Sequence, residues 1–283
     1  MHKLTIDKYT FQIPGNWNEL TYEQLRVVFI AHKLNPSPEY VKLQLLKETT
    51  GIAKLKWKRR VRDLMYIYPF RYKYNVIWLA AVDIAHITSA FNFLFTDEGF
   101  FAPGLTNMPL TVLRFKKAYY GPAAAFTNLT FGEWVATETL MARYAETNDV
   151  EYLLRFFATL WRTCDKENWR QPLAENSEDF WQEFKKLESW KAQLILHWYD
   201  SCCILLQNKF SLIFPKPNEE ENKKPQRVIA AQVFDSFMNI LEMLVDHDVT
   251  KKPEVRAQFL YDALYTWEDL IVQNKKMEEL TNK

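Results

Sequence analysis

The stretch from Tyr119 to Arg162, YYGPAAAFTNLTFGEWVATETLMARYAETNDVEYLLRFFATLWR, constrains the fold more than any other part of the chain, because it carries the local rules for two consecutive helices. Thr130 and Glu133 stand at capping-box spacing, so the hydroxyl can accept from the amide of Glu133 while the carboxylate reaches back to the amide of Thr130. Asn148 and Glu151 repeat the spacing and predict a second helix start. From Val150 onward Leu153, Leu154, Phe157, Leu160 and Trp161 recur at helical period, one face of an α-helix. Glu151, Arg155 and Arg162 fall on the other face and are expected in solvent. Glu138 is the carboxylate that the helical wheel sets among apolar residues, beside Phe131, Trp134 and Met141. Buried acids can act as general bases when their pKa is raised, yet structural ion pairs leave the same signature. The expectation is a buried, structural Glu138 paired with an arginine or with backbone amides.

The 283 residues include only 6 Gly, against an average usage of about 7%, which leaves few positions for tight turns or phosphate loops and favours helices. With 36 basic and 35 acidic residues the formal charge is +1, so no whole-protein field draws the chain to nucleic acid or an anionic membrane. Cys164, Cys202 and Cys203 are too few for a disulfide framework and fit a reducing compartment. Cys202 shares a helical stripe with Leu194, Ile195, Trp198 and Leu206 and reads as a small core hydrophobe. The N-terminus alternates polar and apolar residues and lacks the apolar core of a signal peptide. The longest apolar stretch, Val76 to Phe95, contains Asp83, His86 and Asn92 and is expected to be a buried core helix, not a membrane span.

Taken in order, Leu4 to Ile6 and Tyr9 to Ile13 predict a small hairpin. Thr21 with Gln24 caps a helix running to about Lys33, and a second runs from Ser37 and Pro38 to Gly51. The segment MPLTVLRF before Tyr119 suggests a strand, Ser177 a short helix with Phe180, Trp181 and Phe184, and Ser189 a longer one. The fold class expected is mainly α: a multi-helix, bundle-like domain with a small N-terminal β-hairpin, room for one or two further short strands, and a C-terminal helical hairpin. The domain plan is a main body over 1–214, a charged linker over 215–226 and the hairpin over 227–283. Two helices cover each other only in part, so the hairpin is expected to dock one face on the body and leave Tyr261 and Tyr265 for a partner.

Six of the nine residues from Lys54 to Arg62 are basic, and Tyr66, Tyr68, Phe70, Tyr72 and Tyr74 follow, interleaved with Arg71 and Lys73. Rings that stack on bases and cations that follow phosphates are the vocabulary of single-strand nucleic-acid grooves. A nucleic-acid site would use Lys56, Lys58, Arg59, Arg60, Arg62 and Arg71. A spacing of two is equally how a β-strand packs one side, and no nucleic-acid-binding module accompanies the run, so a structural or protein-contact surface is favoured and nucleic acid is the alternative. The five histidines show no metal-ligand spacing. Asp83 and His86, at i and i+3, read as a satisfied buried pair; only a deep polar pocket around them would revive an enzyme of unfamiliar type. Phosphate loop, GxSxG elbow and CxxC are all missing from the sequence, so no enzyme, cofactor or metal is expected.

The landmarks IPGNWNELTYEQL, YYGPAAAFTNLTFGEW, YAETNDVEYLLRFFATLWR and LLQNKFSLIFPKP, in that order, resemble uncharacterised proteins encoded among the tail genes of tailed phages and prophages. The likeness extends to about Pro217 and omits the basic stretch. It implies a non-catalytic role in tail assembly, as a chaperone or adaptor on the tape-measure polypeptide or as a minor structural component, in the host cytoplasm or in the virion. The implied partner is a tail or tape-measure protein, with self-association a further option and no membrane contact.

Overall fold

The computed structural model describes residues 1–55, 58–62, 65–96, 110–112, 117–163, 177–215, 230–245 and 248–281. The chain divides into two compact units, residues 1–104 with 188–201, and residues 105–187 with 202–283.

The first unit begins with β1 (His2–Ile6) and β2 (Tyr9–Ile13), an antiparallel hairpin whose alternation buries Ile6 and Ile13. Helix α1 (Tyr22–Leu34) opens on the expected capping box, with both Thr21 and Gln24 bonds formed. It packs against α2 (Pro38–Thr50), which starts at Pro38 and ends where Gly51 turns left-handed at φ 72, a conformation that costs glycine nothing. A sheet follows from β3 (Ala53–Lys54), β4 (Arg59–Arg62), β5 (Met65–Tyr72) and β6 (Asn75–Ala80), all antiparallel to β5 where they pair with it. β6 lies along one edge of β5, while β3 and β4 pair with successive parts of the other.

This sheet corrects the expectation of one core helix from Val76 to Phe95. Val76 to Ala80 is strand, because a two-residue turn at Lys73 and Tyr74, with Lys73 at φ 52, folds the chain back on β5. Ile77 and Leu79 then point inward, and Val76 and Trp78 outward. Helix starts only at α3 (Ala81–Ser89). Trp190, Leu194, Ile195 and Trp198, from the first part of the long helix Ser189–Lys209, are buried in the same unit.

The second unit is organised on α4 (Phe131–Thr147). It is preceded by the hairpin of β7 (Leu110–Val112) and β8 (Lys117–Tyr119), and followed by α5 (Val150–Leu160) and a 3-10 stretch, Ser177–Lys186. The long helix, α6 in chain order, ends in this unit, and α7 (Ala230–Leu244), α8 (Lys252–Ala257) and α9 (Leu260–Thr281) complete it. α5, α7, α8 and α9 all pack on α4. The close approach of α8 depends on Gly132, where a Cβ would stand 3.0 Å from the carbonyl of Arg256. Gly121 does the same for Trp161, whose ring lies 2.7 Å from where a Cβ would be. The fold is mainly α with a small N-terminal hairpin, as expected, although it holds more strand than the one or two pieces foreseen. The segment 216–229, most of the expected linker, lies outside the described residues, and α7 to α9 share a unit with α4 and α5.

Candidate functional site

Glu133 and Arg162, 4% and 3% exposed, form the buried ionic node of the second unit. One Glu133 oxygen accepts from the Thr130 amide at 3.0 Å, closing the capping box, and the other accepts from the Arg162 guanidinium. Arg162 Nε donates to the Thr159 carbonyl at 2.9 Å. The arginine was expected on a solvated helix face and is instead buried. α5 ends at Leu160, Trp161 leaves the helical region at ψ 116, and the Arg162 backbone exchanges bonds of 2.7 and 3.0 Å with Tyr120. Once the chain leaves the helix, the wheel no longer says where the next side chain goes.

Glu138 is half-buried and accepts from Cys203 Sγ at 3.5 Å, while the fully buried carboxylate of α4 is Glu133, at the third position of the helix. The cap spacing showed Glu133 as a first-turn acid but not that the same carboxylate would neutralise an arginine. Nearby in this unit, the Tyr119 hydroxyl donates to Glu183, and burial, followed by that carboxylate, raises the phenol's pKa. Burial pushes the Cys202 thiol up to about 12, which suits a core side chain and not a nucleophile.

Tyr261 and Tyr265 sit together beside the end of α6. Phe210 lies 5.9 Å from the Tyr261 ring and 5.1 Å from that of Tyr265, and the Lys209 ammonium stands 4.6 and 5.1 Å from their centroids. Tyr261 also donates its hydroxyl to the Ala125 carbonyl at 2.9 Å. It therefore holds α9 in place within its own unit, whereas Tyr265 remains 47% exposed. Phe237 of α7 packs on Trp134 at 4.8 Å, and Trp267 of α9 on Phe214 at 6.3 Å.

In the first unit Arg59, Arg60 and Arg62 lie on β4, Lys58 and Arg71 are exposed, and Lys56 is outside the described residues. Two rings of β5, Phe70 and Tyr72, serve packing. Phe70 is 1% exposed, and Tyr72 stacks edge-on with Tyr9 at 4.8 Å and Phe11 at 5.2 Å. Asp83 and His86, expected as a buried pair, are both exposed; Asp83 caps α3 by accepting from the Ala80 amide at 2.9 Å. His197 packs on Trp17 at 4.6 Å, and its burial lowers the imidazole pKa.

Glu133, Arg162 and Tyr119 are each committed to a cap, an ion pair or a hydrogen bond that fixes one element to another. Among the described residues no three His, Cys, Asp or Glu side chains are placed to hold a metal ion, and no helix is long and apolar enough to cross a membrane. Compared with protein-family models, curated proteins and solved structures, the chain matches none.

Proposed function

We propose that this protein is a non-catalytic assembly factor that works through protein contacts, in the phage-tail setting its landmark segments imply. The observation that carries the reading is the surface of α7 and α9. Each helix buries one side on α4 or its neighbours, yet Phe234 stays 43% exposed, Tyr265 47% and Met277 64%. Single exposed apolar residues are ordinary, but aromatic and methionine side chains exposed on two helices of one unit are what a partner's amphipathic helix packs against. The tape-measure polypeptide, long and helical, is the partner class the resemblance supplies.

The test is co-expression with a tape-measure polypeptide from the same genome, followed by size-exclusion chromatography with light scattering. A complex of defined mass is expected, weakened by Phe234→Asp and Met277→Asp, which lie on exposed surface and leave the fold intact. Separate elution of the two chains at micromolar concentration would overturn the proposal.

A further inference from the structure

We infer that the outward face of α9 around Tyr265 is a socket for arginine, and that the partner segment it takes is a basic amphipathic helix. The inference rests on the α7 and α9 surface proposed above and names the chemistry of its occupant. On a helix the surface neighbours of a residue stand three and four positions away. For Tyr265 these are Tyr261, Asp262, Glu268 and Asp269, one ring and three carboxylates. Tyr265, Asp262 and Asp269 are exposed, and Glu268 is half-buried. None of the three acids has a lysine, arginine or histidine three or four positions away on either side, so no intrahelical pair forms. Among the described residues none of them is in an ion pair. Glu151, Glu242 and Asp248 of the same unit, by contrast, each hold a cation.

Charge decides the occupant. Residues 230–244 of α7 and 260–274 of α9 carry five acids, Asp235, Glu242, Asp262, Glu268 and Asp269, and no lysine or arginine. Glu242 is matched by Lys252 of α8. Each carboxylate beside Tyr265 lies about 5 to 6 Å from it along the helix surface, inside the screening length of about 8 Å at physiological salt. A cation over the ring therefore feels all three. The rings already accept one cation, since the Lys209 ammonium stands 4.6 Å from the Tyr261 centroid and 5.1 Å from that of Tyr265. Tyr265 is still 47% exposed, which leaves ring surface for a second. Arginine suits that surface better than lysine, because a guanidinium stacks on an aromatic face and bonds a carboxylate through two N–H groups at once. Val272, about two turns further on the same face and half-buried, offers the apolar contact that a helix laid along α9 would cover. A partner with acidic flanks would set like charges against the three carboxylates.

The probe is a short acetylated and amidated helical peptide with leucines at i, i+3, i+4 and i+7 and arginines beside them, titrated into the full chain at pH 7 and followed by calorimetry. Matching peptides with lysine or glutamate in place of arginine are the controls, with sedimentation of the chain alone. Saturable binding of the arginine peptide is expected, weakened by salt, with the lysine peptide weaker and the glutamate peptide silent. Glu268→Gln together with Asp269→Asn should weaken the arginine peptide about tenfold. Glu278→Gln together with Glu279→Gln, the same change of charge centred about 20 Å from Tyr265 along the axis, should leave it nearly unchanged. Tyr265→Leu keeps an apolar side chain and should erase the preference for arginine over lysine; should it unfold the protein, the two charge pairs decide. An arginine peptide bound no better than the others, equal loss from the two charge pairs, or a preference that survives Tyr265→Leu would overturn the inference. So would self-association of this chain that Glu268→Gln with Asp269→Asn dissolves. A tape-measure complex indifferent to those two substitutions overturns the inference and leaves the proposed function standing, whereas arginine-specific peptide binding without any tape-measure complex does the reverse.

Discussion

Glu133 places a buried charge in the first turn of α4. Removing one partner of a buried ion pair costs about 3 to 5 kcal/mol because the other charge is left uncompensated. Glu133→Ala is therefore expected to lower unfolding free energy by that order in urea titrations, with the lost cap bond adding to it. An unchanged unfolding free energy would show that the node is misplaced. His197 gives the pH dependence. Burial against Trp17 lowers its folded pKa below the ordinary 6.5, so the unfolded chain binds the proton more readily. The stability this preserves is complete above the unfolded value and is lost as pH falls from about 6.5 through the lowered folded value. A His197→Phe variant should show a flatter stability curve than the parent between pH 7 and 5. Parallel curves would mean that His197 titrates alike in both states.

α1 and α4 start where their caps say, and α2 and α4 stop where the backbone changes hand. α1 and α4 open on complete capping boxes, and α2 closes on left-handed Gly51. The second box foreseen at Asn148 and Glu151 does not form. Asn148, at φ 55, is the left-handed end of α4, and Asp149 caps α5 by accepting from the Glu151 amide at 2.9 Å. Asparagine tolerates the left-handed region better than other residues with a Cβ, and glycine better still. Asn148→Gly should thus be neutral or slightly stabilising, and Asn148→Val should cost about 1 to 2 kcal/mol. Thermal melts of the two variants check this, and equal midpoints would argue against a strained turn.

At the scale of the whole molecule, α4 gathers segments far apart in sequence. Phe131 N donates to Gln258 O at 2.9 Å and Leu260 N to Leu129 O at 2.8 Å, so the C-terminal helices are tied to the start of α4 by backbone bonds as well as by rings. A fragment of residues 1–217 would lose α7, α8 and α9 and uncover the apolar side of α4, including Trp134 and Phe131. Such a patch promotes association. Expressed alone, the fragment is expected to aggregate or to melt well below the full chain in calorimetry, and a soluble monomer of unchanged heat stability would refute the docking.

Residues close in sequence settled what they could settle among themselves. Period, cap and turn residues act over a few positions, which is why α1, α2, α4, the N-terminal hairpin and the core role of Cys202 were legible before any coordinates. Whether NVIWLA becomes strand or helix was not, because a short apolar run suits either until β5 offers it a partner. The same limit hid Arg162 from its carboxylate twenty-nine positions earlier, and gave Tyr261 to Ala125 in place of a partner. Those outcomes depend on which distant surfaces meet, and only the packed chain decides that.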